Sequence, residues 1–293
     1  LAGCRALVTG ANSGLGFVTC LELARHGADV TMAVRDQSRG EQAHERITSS
    51  LRDTPGAGRV RLAALDLADL GSVRALAAAE VAEHTRLDLL VNNAGVMAIP
   101  RRLTADGFEM QFGTNHLGHA ALTLGVLPAL ARPGAAPARV VTVSSAVHHR
   151  GQIHRDDLMG ERDYKPWGAY AQSKLANLLF MSELQRRLDS SGLDIASYGA
   201  HPGYADTNLQ AVGPRMAGNR MAERAMAVAN KVLAQSVEMG ALLDTELAVM
   251  DVAVDVGARL QDDRQRLDGA VDLAAVRGEV TGDVAHAVLG RGH

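Results

Sequence analysis

Several residue types and segments are scarce in this sequence, and each scarcity excludes a class of protein. Only two cysteines occur among 293 residues, Cys4 and Cys20, which is too few for a disulfide framework. No apolar run approaches the roughly 20 residues of a membrane-spanning helix, and no charged leader precedes an apolar block. The net charge is −3 and basic residues are not clustered, which argues against nucleic-acid binding. We therefore expect a cytoplasmic protein with no membrane span and no nucleic-acid partner.

Short apolar segments rich in β-branched residues alternate with longer segments rich in Ala and Leu. We predict strands at Arg5–Thr9, Asp29–Val34, Arg59–Leu65, Leu87–Val91, Arg139–Ser144 and Asp194–Tyr198, and helices at Leu15–His26, Ser38–Leu51, Ser72–His84, Gly113–Ala131 and Gly168–Ser190. Strict alternation requires crossover connections and hence parallel strands. The strand segments are apolar throughout, as expected for strands covered on both faces. The sequence therefore predicts an α/β fold, a Rossmann-like doubly wound parallel sheet in a single domain.

A glycine-rich turn joins the first predicted strand to the first predicted helix. It reads Gly10-Ala11-Asn12-Ser13-Gly14-Leu15-Gly16. Glycine lets the backbone turn tightly, so that the pyrophosphate of a dinucleotide can approach the free N–H groups at the helix N-terminus. An ordinary loop is the alternative, but the strand–turn–helix setting favours cofactor binding.

The residue after the second predicted strand bears on the choice between NAD and NADP. An acidic residue there accepts hydrogen bonds from the ribose 2′-hydroxyl of NAD and repels the 2′-phosphate of NADP. The sequence has Arg35, whose guanidinium can pair with a phosphate through two parallel hydrogen bonds. A solvated Arg35, partly neutralised by Asp36, is the alternative. We favour NADP, and NAD stays open.

Tyr170 and Lys174 lie four residues apart in a predicted helix, so their side chains fall on successive turns of one face. Tyrosine ionises near pH 10, too high for a base at neutral pH, and a neighbouring cation lowers its pKa. With four Tyr and three Lys in the chain, chance gives this spacing in only about 4% of sequences. We therefore predict that this pair is catalytic rather than an ordinary part of an amphipathic helix.

Two further polar positions fit the same site. Ser144 and Ser145 end the fifth predicted strand, at the carboxyl edge where open α/β sheets bind ligands, and a hydroxyl there could bind a substrate carbonyl. Asn115 lies inside a predicted helix, where an amide is mildly disfavoured and needs a partner such as a water or a backbone group. Each could be structural on its own. Together with the Tyr–Lys pair they form a candidate catalytic group.

The order of these motifs resembles the short-chain dehydrogenase/reductase family over roughly residues 3–210. The resemblance is carried by the glycine turn, Asn92-Asn93-Ala94-Gly95, Asn115, Ser145 and the Tyr170-to-Lys174 spacing. It implies a seven-stranded sheet and a catalytic tetrad of Asn115, Ser145, Tyr170 and Lys174. It also implies that the cofactor is held by Gly10, Asn12, Ser13, Gly14, Leu15, Gly16, Arg35, Asp66, Leu67, Asn93, Ala94, Gly95, Tyr170, Lys174, Pro202, Gly203 and Thr207.

Finer features resemble the retinol dehydrogenase and protochlorophyllide reductase-like branch of that family. They are Asn115-His116-Leu117-Gly118-His119, the His148-His149 pair after Ser145, and the run from Tyr170 to Asn177. A metal site is an alternative explanation of the five histidines at 116, 119, 148, 149 and 154. Because they lie on different predicted elements with no carboxylate or cysteine pattern, we predict no metal site.

The C-terminal part departs from the family pattern. No aromatic residue occurs in the 89 residues after Tyr204, whereas family members usually end in a strand and a helix that carry aromatic residues. We divide the chain into an NAD(P)-binding Rossmann-like domain at 1–242, with a substrate lid at about 205–231, and a divergent segment at 243–293. Met216, Met221 and Met226 suit an adaptable apolar pocket in the lid, although core packing is the commoner reason for such a spacing.

These features predict an NADP(H)-dependent oxidoreductase that interconverts a carbonyl and an alcohol on a bulky apolar small molecule. Tyr170 would be the general acid in reduction, and Lys174 would lower its pKa. Ser145 would orient the carbonyl, and Asn115 would hold a proton-relay water. Two alternatives stay open: a cofactor-binding regulator or scaffold without turnover, and an epimerase or dehydratase that recycles the hydride. A homo-oligomer also stays open.

Overall fold

The structure, a computed structural model, describes residues 1–83 and 85–201. These residues belong to a compact unit that runs from Leu1 to Met250, and a second unit, Asp251–His293, lies wholly outside them. Several predictions also fall outside the described residues: the cofactor contacts Pro202, Gly203 and Thr207, the lid at 205–231 with its three methionines, and the segment at 243–293. The domain boundary after residue 242 stays a prediction.

Strands and helices alternate along the described residues. In chain order they are β1 (Arg5–Thr9), α1 (Gly14–Arg25), β2 (Asp29–Val34), α2 (Gln37–Leu51), β3 (Val60–Ala64), α3 (Leu70–Ala82), β4 (Leu89–Asn92), α4 (Met110–Phe112), α5 (Gly118–Leu130), β5 (Ala138–Val143), α6 (Pro166–Ser191) and β6 (Ile195–Ala200). The strands form a fully parallel sheet in the order β3-β2-β1-β4-β5-β6. The order reverses between β1 and β4, which is where an open α/β sheet binds its ligands. The predicted Rossmann-like, doubly wound fold is confirmed.

Each face of this sheet carries its own apolar core. One core packs α1 and α2 against strand residues such as Ala6, Val8 and Met32. The other packs α3, α5 and α6 against strand residues such as Leu7 and Leu90. Because successive side chains of a strand point to opposite faces, a continuously apolar strand fills both cores. The two layers of helices hold the carboxyl ends of the strands at one edge.

The long helix predicted at Gly113–Ala131 is interrupted in the structure. A single α-helical turn, α4, is followed by a wider π-helical turn at Gly113–Leu117, in which the N–H of Gly118 donates to the carbonyl of Gly113. Only then does the regular helix α5 begin. Gly118 packs directly on the turn after β3, since a Cβ on it would lie 2.5 Å from the carbonyl oxygen of Leu67. The seventh strand implied by the resemblance falls outside the described residues.

Candidate active site

The glycine turn after β1 is packed tightly against the loop after β4. Gly10 has a φ of +65°, and a Cβ on it would lie 2.9 Å from Cα of Ala94. A Cβ on Gly16 would lie 2.6 Å from the carbonyl oxygen of Gly10 and 2.5 Å from Nδ2 of Asn93. Ser13 precedes α1 without a side-chain capping bond, and the first turn of α1 holds no acidic residue. The helix N-terminus is therefore open to an anion, as the pyrophosphate of a dinucleotide requires.

Thr9, the last residue of β1, ties this turn to the loop after β4, although no local sequence pattern marks it. Its buried hydroxyl oxygen accepts hydrogen bonds from the backbone N–H groups of Asn93 at 3.0 Å and Ala94 at 2.9 Å. Its carbonyl oxygen accepts a third from Nδ2 of Asn93 at 2.7 Å. The Asn93-Ala94-Gly95 loop is thus held beside the glycine turn, where the cofactor prediction needs it.

Arg35 follows β2 and is exposed at the same edge of the sheet. Its neighbour Asp36 is engaged elsewhere, because its carboxylate accepts the N–H of Arg39 at the start of α2 and lies 3.4 Å from Nε of Arg39. Within the described part of the chain, no carboxylate pairs with Arg35. The partial neutralisation considered from the sequence is therefore not found, and the guanidinium is available to a phosphate.

Asp66 and Leu67 lie in the turn after β3. Oδ1 of Asp66 accepts the N–H of Ala68 at 2.9 Å, and the N–H of Asp66 donates to Oγ of Ser72 at 2.9 Å. Leu67 is buried, and its carbonyl oxygen faces Gly118 at the start of α5. These bonds fix the turn at the sheet edge that it shares with Arg35 and the glycine turn.

The end of β5 and helix α6 bring three predicted catalytic side chains together. Ser145, just after β5, is hydrogen-bonded to the hydroxyl of Tyr170. Nζ of Lys174 lies 5.8 Å from the centre of the Tyr170 ring. Tyr170 and Lys174 are only 4% and 3% exposed, so the phenol and the ammonium share a site from which most water is excluded.

Lys174 and the end of β5 are joined by two hydrogen bonds, one donated by the lysine side chain and one accepted by its backbone carbonyl. Nζ of Lys174 donates to the carbonyl of Val143 at 2.9 Å, and Oγ of Ser144 donates to the backbone carbonyl of Lys174 at 2.8 Å. Asn177, one turn further along α6, also donates to Val143, at 3.3 Å. Ser144 therefore has a structural role, and Ser145 is the serine that faces Tyr170.

Burial dominates the pKa of Tyr170. Desolvation of the phenolate raises the pKa to about 12, and the hydrogen bond with Ser145 acts in the opposite direction. The ammonium of Lys174 donates to the carbonyl of Val143 at 2.9 Å, and its lowering of the Tyr170 pKa stays a prediction. Tyr170 is therefore a protonated phenol at neutral pH, which is the state that a general acid needs.

Asn115 lies fully buried in the π-helical turn. Its side-chain amide donates to the carbonyl of Val96 and to Oγ of Ser173, each at 2.9 Å, and its Oδ1 accepts the N–H of Val96 at 2.8 Å. Both amide hydrogens are thus used to join the loop after β4 to α6. The backbone carbonyl of Asn115 accepts from Nδ1 of His119 at 3.0 Å. The relay water predicted at Asn115 stays a prediction.

Gly95 marks the point where the cofactor loop meets the catalytic residues. A Cβ on it would lie 3.1 Å from Oδ1 of Asn115 and 3.8 Å from Nζ of Lys174. The four predicted catalytic residues therefore converge beside the predicted cofactor residues after β1 and β4. Asn12, Gly14 and Leu15 complete the same turn, and Gly14 also has a positive φ, of +55°.

Trp167 is a further residue of this site that the sequence motifs do not include. It lies one helical turn before Tyr170 on α6, and the two rings pack edge to face with their centres 6.1 Å apart. Its side chain is nevertheless 51% exposed. Trp167 therefore places an exposed apolar ring beside the ring of Tyr170.

Two kinds of feature are absent from the residues that the structure describes. No group of three or more His, Cys, Asp or Glu side chains among them is arranged to hold a metal ion. No helix formed by these residues combines the length and apolar character needed to cross a membrane. Both cysteines are free thiols.

Comparison with known proteins assigns the family. The chain matches the model of the short chain dehydrogenases over residues 5–217. Human retinol dehydrogenase 11 is 46% identical over 209 residues, covering 71% of this chain and 63% of that protein. Mouse polyprenol dehydrogenase is 48% identical over 206 residues, covering 70% of this chain and 60% of that protein. The chain therefore spans less than two thirds of the length of either relative.

A solved structure agrees with these relatives. An uncharacterized protein from Mycobacterium paratuberculosis is 44% identical, with a TM-score of 0.66 over 86% of this chain and 78% of that one. The family-model match over residues 5–217 spans the six strands, the glycine turn and the helix that carries Tyr170 and Lys174. The chain belongs to the short-chain dehydrogenase/reductase family, in its retinol dehydrogenase-like branch.

Proposed function

We propose that this protein transfers hydride between a nicotinamide cofactor and the carbon of an alcohol or carbonyl group. The observation that carries the proposal is the buried convergence of Asn115, Ser145, Tyr170 and Lys174 beside a glycine turn that is open to an anion. When bound, the nicotinamide supplies or accepts the hydride. The residues of the chain hold the cofactor, orient the substrate oxygen and move the proton.

The proton step follows from the state of Tyr170. Its phenol is neutral, with a pKa of about 12, so in reduction its hydroxyl donates the proton that the substrate oxygen takes up. Ser145, hydrogen-bonded to the same hydroxyl, orients that oxygen. The phenolate that remains is stabilised by the ammonium of Lys174, and a water on the carbonyl of Asn115 returns the proton from solvent. In oxidation the same groups act in reverse.

The cofactor would be held along the carboxyl edge of four strands. The glycine turn and the start of α1 receive the pyrophosphate, Asp66 and Leu67 lie on the adenine side, and the loop after β4 lies with Lys174 on the nicotinamide side. NADP rather than NAD is supported by Arg35, which is exposed after β2 and, among the described residues, has no carboxylate partner. Its guanidinium suits the additional 2′-phosphate of NADP.

A bulky apolar alcohol or aldehyde is the substrate class that we propose. The names of two relatives refer to retinol and polyprenol, both of which are long apolar alcohols. The half-exposed Trp167 beside Tyr170 supplies an apolar surface where such a molecule would enter. The cytoplasmic location of the protein and its assembly into a homo-oligomer stay predictions.

The test of the proposed activity follows the absorbance of NADPH at 340 nm with a panel of apolar aldehydes. Tyr170→Phe is expected to lower kcat by roughly 10²- to 10⁴-fold, the usual contribution of a general acid, while the Kd for NADPH changes little. Tyr198→Phe is the matched control, because Tyr198 packs against the core in β6, and its turnover should equal that of the wild type. Undiminished turnover in Tyr170→Phe would refute the proposed role.

The same assay separates the alternatives. A regulator or scaffold would bind NADPH tightly and turn over no carbonyl in the panel. An epimerase or dehydratase would convert its substrate with only catalytic amounts of cofactor, and no net change at 340 nm would be seen. Stoichiometric oxidation of NADPH with formation of the alcohol supports the proposed function over both.

The preference for NADP is tested at Arg35. Losing charge-assisted hydrogen bonds worth about 1.5–3 kcal/mol corresponds to a roughly 10- to 100-fold increase in Kd. Arg35→Ala is therefore expected to raise the Kd for NADPH by that factor and to leave the Kd for NADH unchanged. Arg52→Ala, at the far end of α2, is the control. Equal NADPH affinity in Arg35→Ala and wild type would favour NAD.

A further inference from the structure

His119 is a titratable residue that the proposed proton transfer does not use, yet it lies between the two halves of the site. It is 1% exposed and is located one turn after Asn115, at the start of α5. One ring nitrogen, Nδ1, lies 3.0 Å from the backbone carbonyl of Asn115. The other, Nε2, lies 2.8 Å from the hydroxyl of Thr9, the last residue of β1. The imidazole thus joins the π-helical turn that contains Asn115 to the end of β1.

The partners of His119 define which nitrogen carries the proton. A carbonyl oxygen can only accept, so Nδ1 must be the N–H that donates to Asn115. In a neutral imidazole the other nitrogen, Nε2, is then an acceptor, and the hydroxyl of Thr9 must donate to it. The competing acceptor for this hydroxyl, the carbonyl of Val91, is more distant, at 3.4 Å. A single tautomer therefore satisfies both contacts.

This assignment also accounts for the other bonds of Thr9. With its proton on His119, the hydroxyl oxygen keeps its lone pairs for the N–H groups of Asn93 and Ala94, at 3.0 Å and 2.9 Å. The N–H groups of Asn93 and Ala94 then donate to Thr9, the hydroxyl of Thr9 donates to His119, and Nδ1 of His119 donates to the carbonyl of Asn115. Every one of these hydrogens has an acceptor. A protonated imidazole would turn Nε2 into a donor and break the series at Thr9. Burial opposes that charge, and it lowers the pKa of His119 to about 3.

We propose that His119 is a positioning residue that sets the distance between the Asn93-Ala94-Gly95 cofactor loop and the carbonyl of Asn115. Its ring is rigid, so the separation of its two nitrogens fixes the separation of the groups they bind. Through Thr9 it acts on the cofactor side, and through Asn115 it acts on the carbonyl that would hold the relay water of the proposed function. The inference rests on the proposed function. It is tested through both the Kd for NADPH and kcat, and the Kd can be measured even without turnover.

Two amide variants divide the role of the ring. In His119→Asn, the side-chain amide occupies the place of Nδ1 and keeps the bond to Asn115 but cannot reach Thr9. In His119→Gln, the longer side chain places its amide near the position of Nε2 and keeps the bond to Thr9 but loses Asn115. The two substitutions are both neutral, polar and non-titrating. They therefore differ mainly in which end of the connection they preserve.

The measurements are the Kd for NADPH, from the change in its fluorescence on binding, and kcat with a carbonyl substrate. We expect His119→Asn to raise the Kd roughly tenfold and to leave kcat within about threefold, the effect of leaving one buried polar group without its partner. We expect His119→Gln to show the reverse, with kcat reduced roughly tenfold and Kd within about threefold of the wild type. A merely structural role would instead move both quantities together in both variants, in proportion to the fall in melting temperature.

Variants of Thr9 supply the second arm. Thr9→Val removes the hydroxyl at nearly constant shape and should raise the Kd, whereas Thr9→Ser keeps the hydroxyl and should restore wild-type binding. Adding His119→Asn to Thr9→Val should raise the Kd no further, because both substitutions break the same bond. Additive increases in Kd would overturn the inference, and so would the same pattern of kcat and Kd in both amide variants. If the wild type binds NADPH without turnover, the proposed function fails, and the Kd arm alone decides whether His119 positions the loop.

Discussion

The burial of His119 has a consequence for stability in acid that can be measured without any ligand. An unperturbed histidine has a pKa near 6.5, and burial lowers the pKa of His119 to about 3 in the folded chain. As the pH falls below 6.5, the unfolded chain takes up a proton at this residue and the folded chain does not. The stability linked to His119 is therefore fully present above pH 6.5 and is lost progressively as the pH falls toward 3.

The size of the effect follows from the two pKa values. At pH 4.5, about two pH units below the unfolded pKa, His119 is protonated in the unfolded chain and still neutral in the folded chain. Each pH unit in this window corresponds to about 1.4 kcal/mol, so the residue lowers the free energy of unfolding by roughly 3 kcal/mol between pH 7.5 and pH 4.5. That is a large part of the 5–15 kcal/mol that holds a typical domain folded.

Urea unfolding at pH 7.5 and at pH 4.5 measures this loss directly. His119→Asn cannot titrate, so its loss of stability between the two pH values should be smaller than that of the wild type by roughly 3 kcal/mol. His154→Asn is the matched control, because His154 is exposed, and its loss should equal that of the wild type. The reasoning fails if the wild type and His119→Asn lose the same free energy on acidification.

Two further substitutions test the packing of the site and of the sheet. Gly16→Ala should raise the Kd for NADPH by roughly 5- to 100-fold, because its Cβ would lie 2.6 Å from the carbonyl oxygen of Gly10 and overpacking of this kind costs about 1–3 kcal/mol. Gly168→Ala, whose Cβ would make an ordinary 3.5 Å contact, should leave the Kd unchanged, and equal Kd values in the two variants would contradict the argument. Glu80→Ala should lower the free energy of unfolding by about 1–2 kcal/mol in urea, since Glu80 is 2% exposed and lies 3.0 Å from the guanidinium of Arg5, which keeps Glu83 as its other carboxylate partner. A loss below about 0.5 kcal/mol would show that this ion pair contributes no more than a surface pair.

The features that the sequence predicted correctly are those that a local pattern determines. Each of the six predicted strands lies close to its observed position, because an apolar β-branched run bounded by turns favours a buried strand over other local structures. The Tyr170–Lys174 spacing and the glycine turn are equally local, since one lies within a single helix and the other within a single loop. Asn115 and the Ser144-Ser145 pair were candidates from their positions in predicted elements, and the resemblance to the family then selected Asn115 and Ser145 for the predicted tetrad.

The features that the sequence did not predict depend on contacts between distant residues. The bond from Thr9 to His119 joins residues 110 positions apart. His119 ends the motif at residues 115–119, but nothing in that motif shows that it contacts Thr9. The π-helical turn at Asn115 is another example, because its hydrophobic period is close to that of the α-helix predicted there. The raised pKa of Tyr170 has the same origin: the spacing to Lys174 was visible in the sequence, but burial by surrounding elements was not.

The hydrogen bonds between Lys174 and the end of β5 affect how much conformational entropy the Lys174 side chain would lose in each cycle of the proposed reaction. A free lysine side chain has four rotatable bonds, and holding it in one rotamer costs about 2 kcal/mol in conformational entropy. Here the ammonium is already held by the carbonyl of Val143 at 2.9 Å, while Ser144 holds the backbone of the same lysine to the strand. The entropy of ordering this side chain is therefore lost once, when the chain folds, and not again at every turnover. In the proposed reaction, the barrier would be lower by the part of this entropy cost that a loosely held lysine would otherwise add.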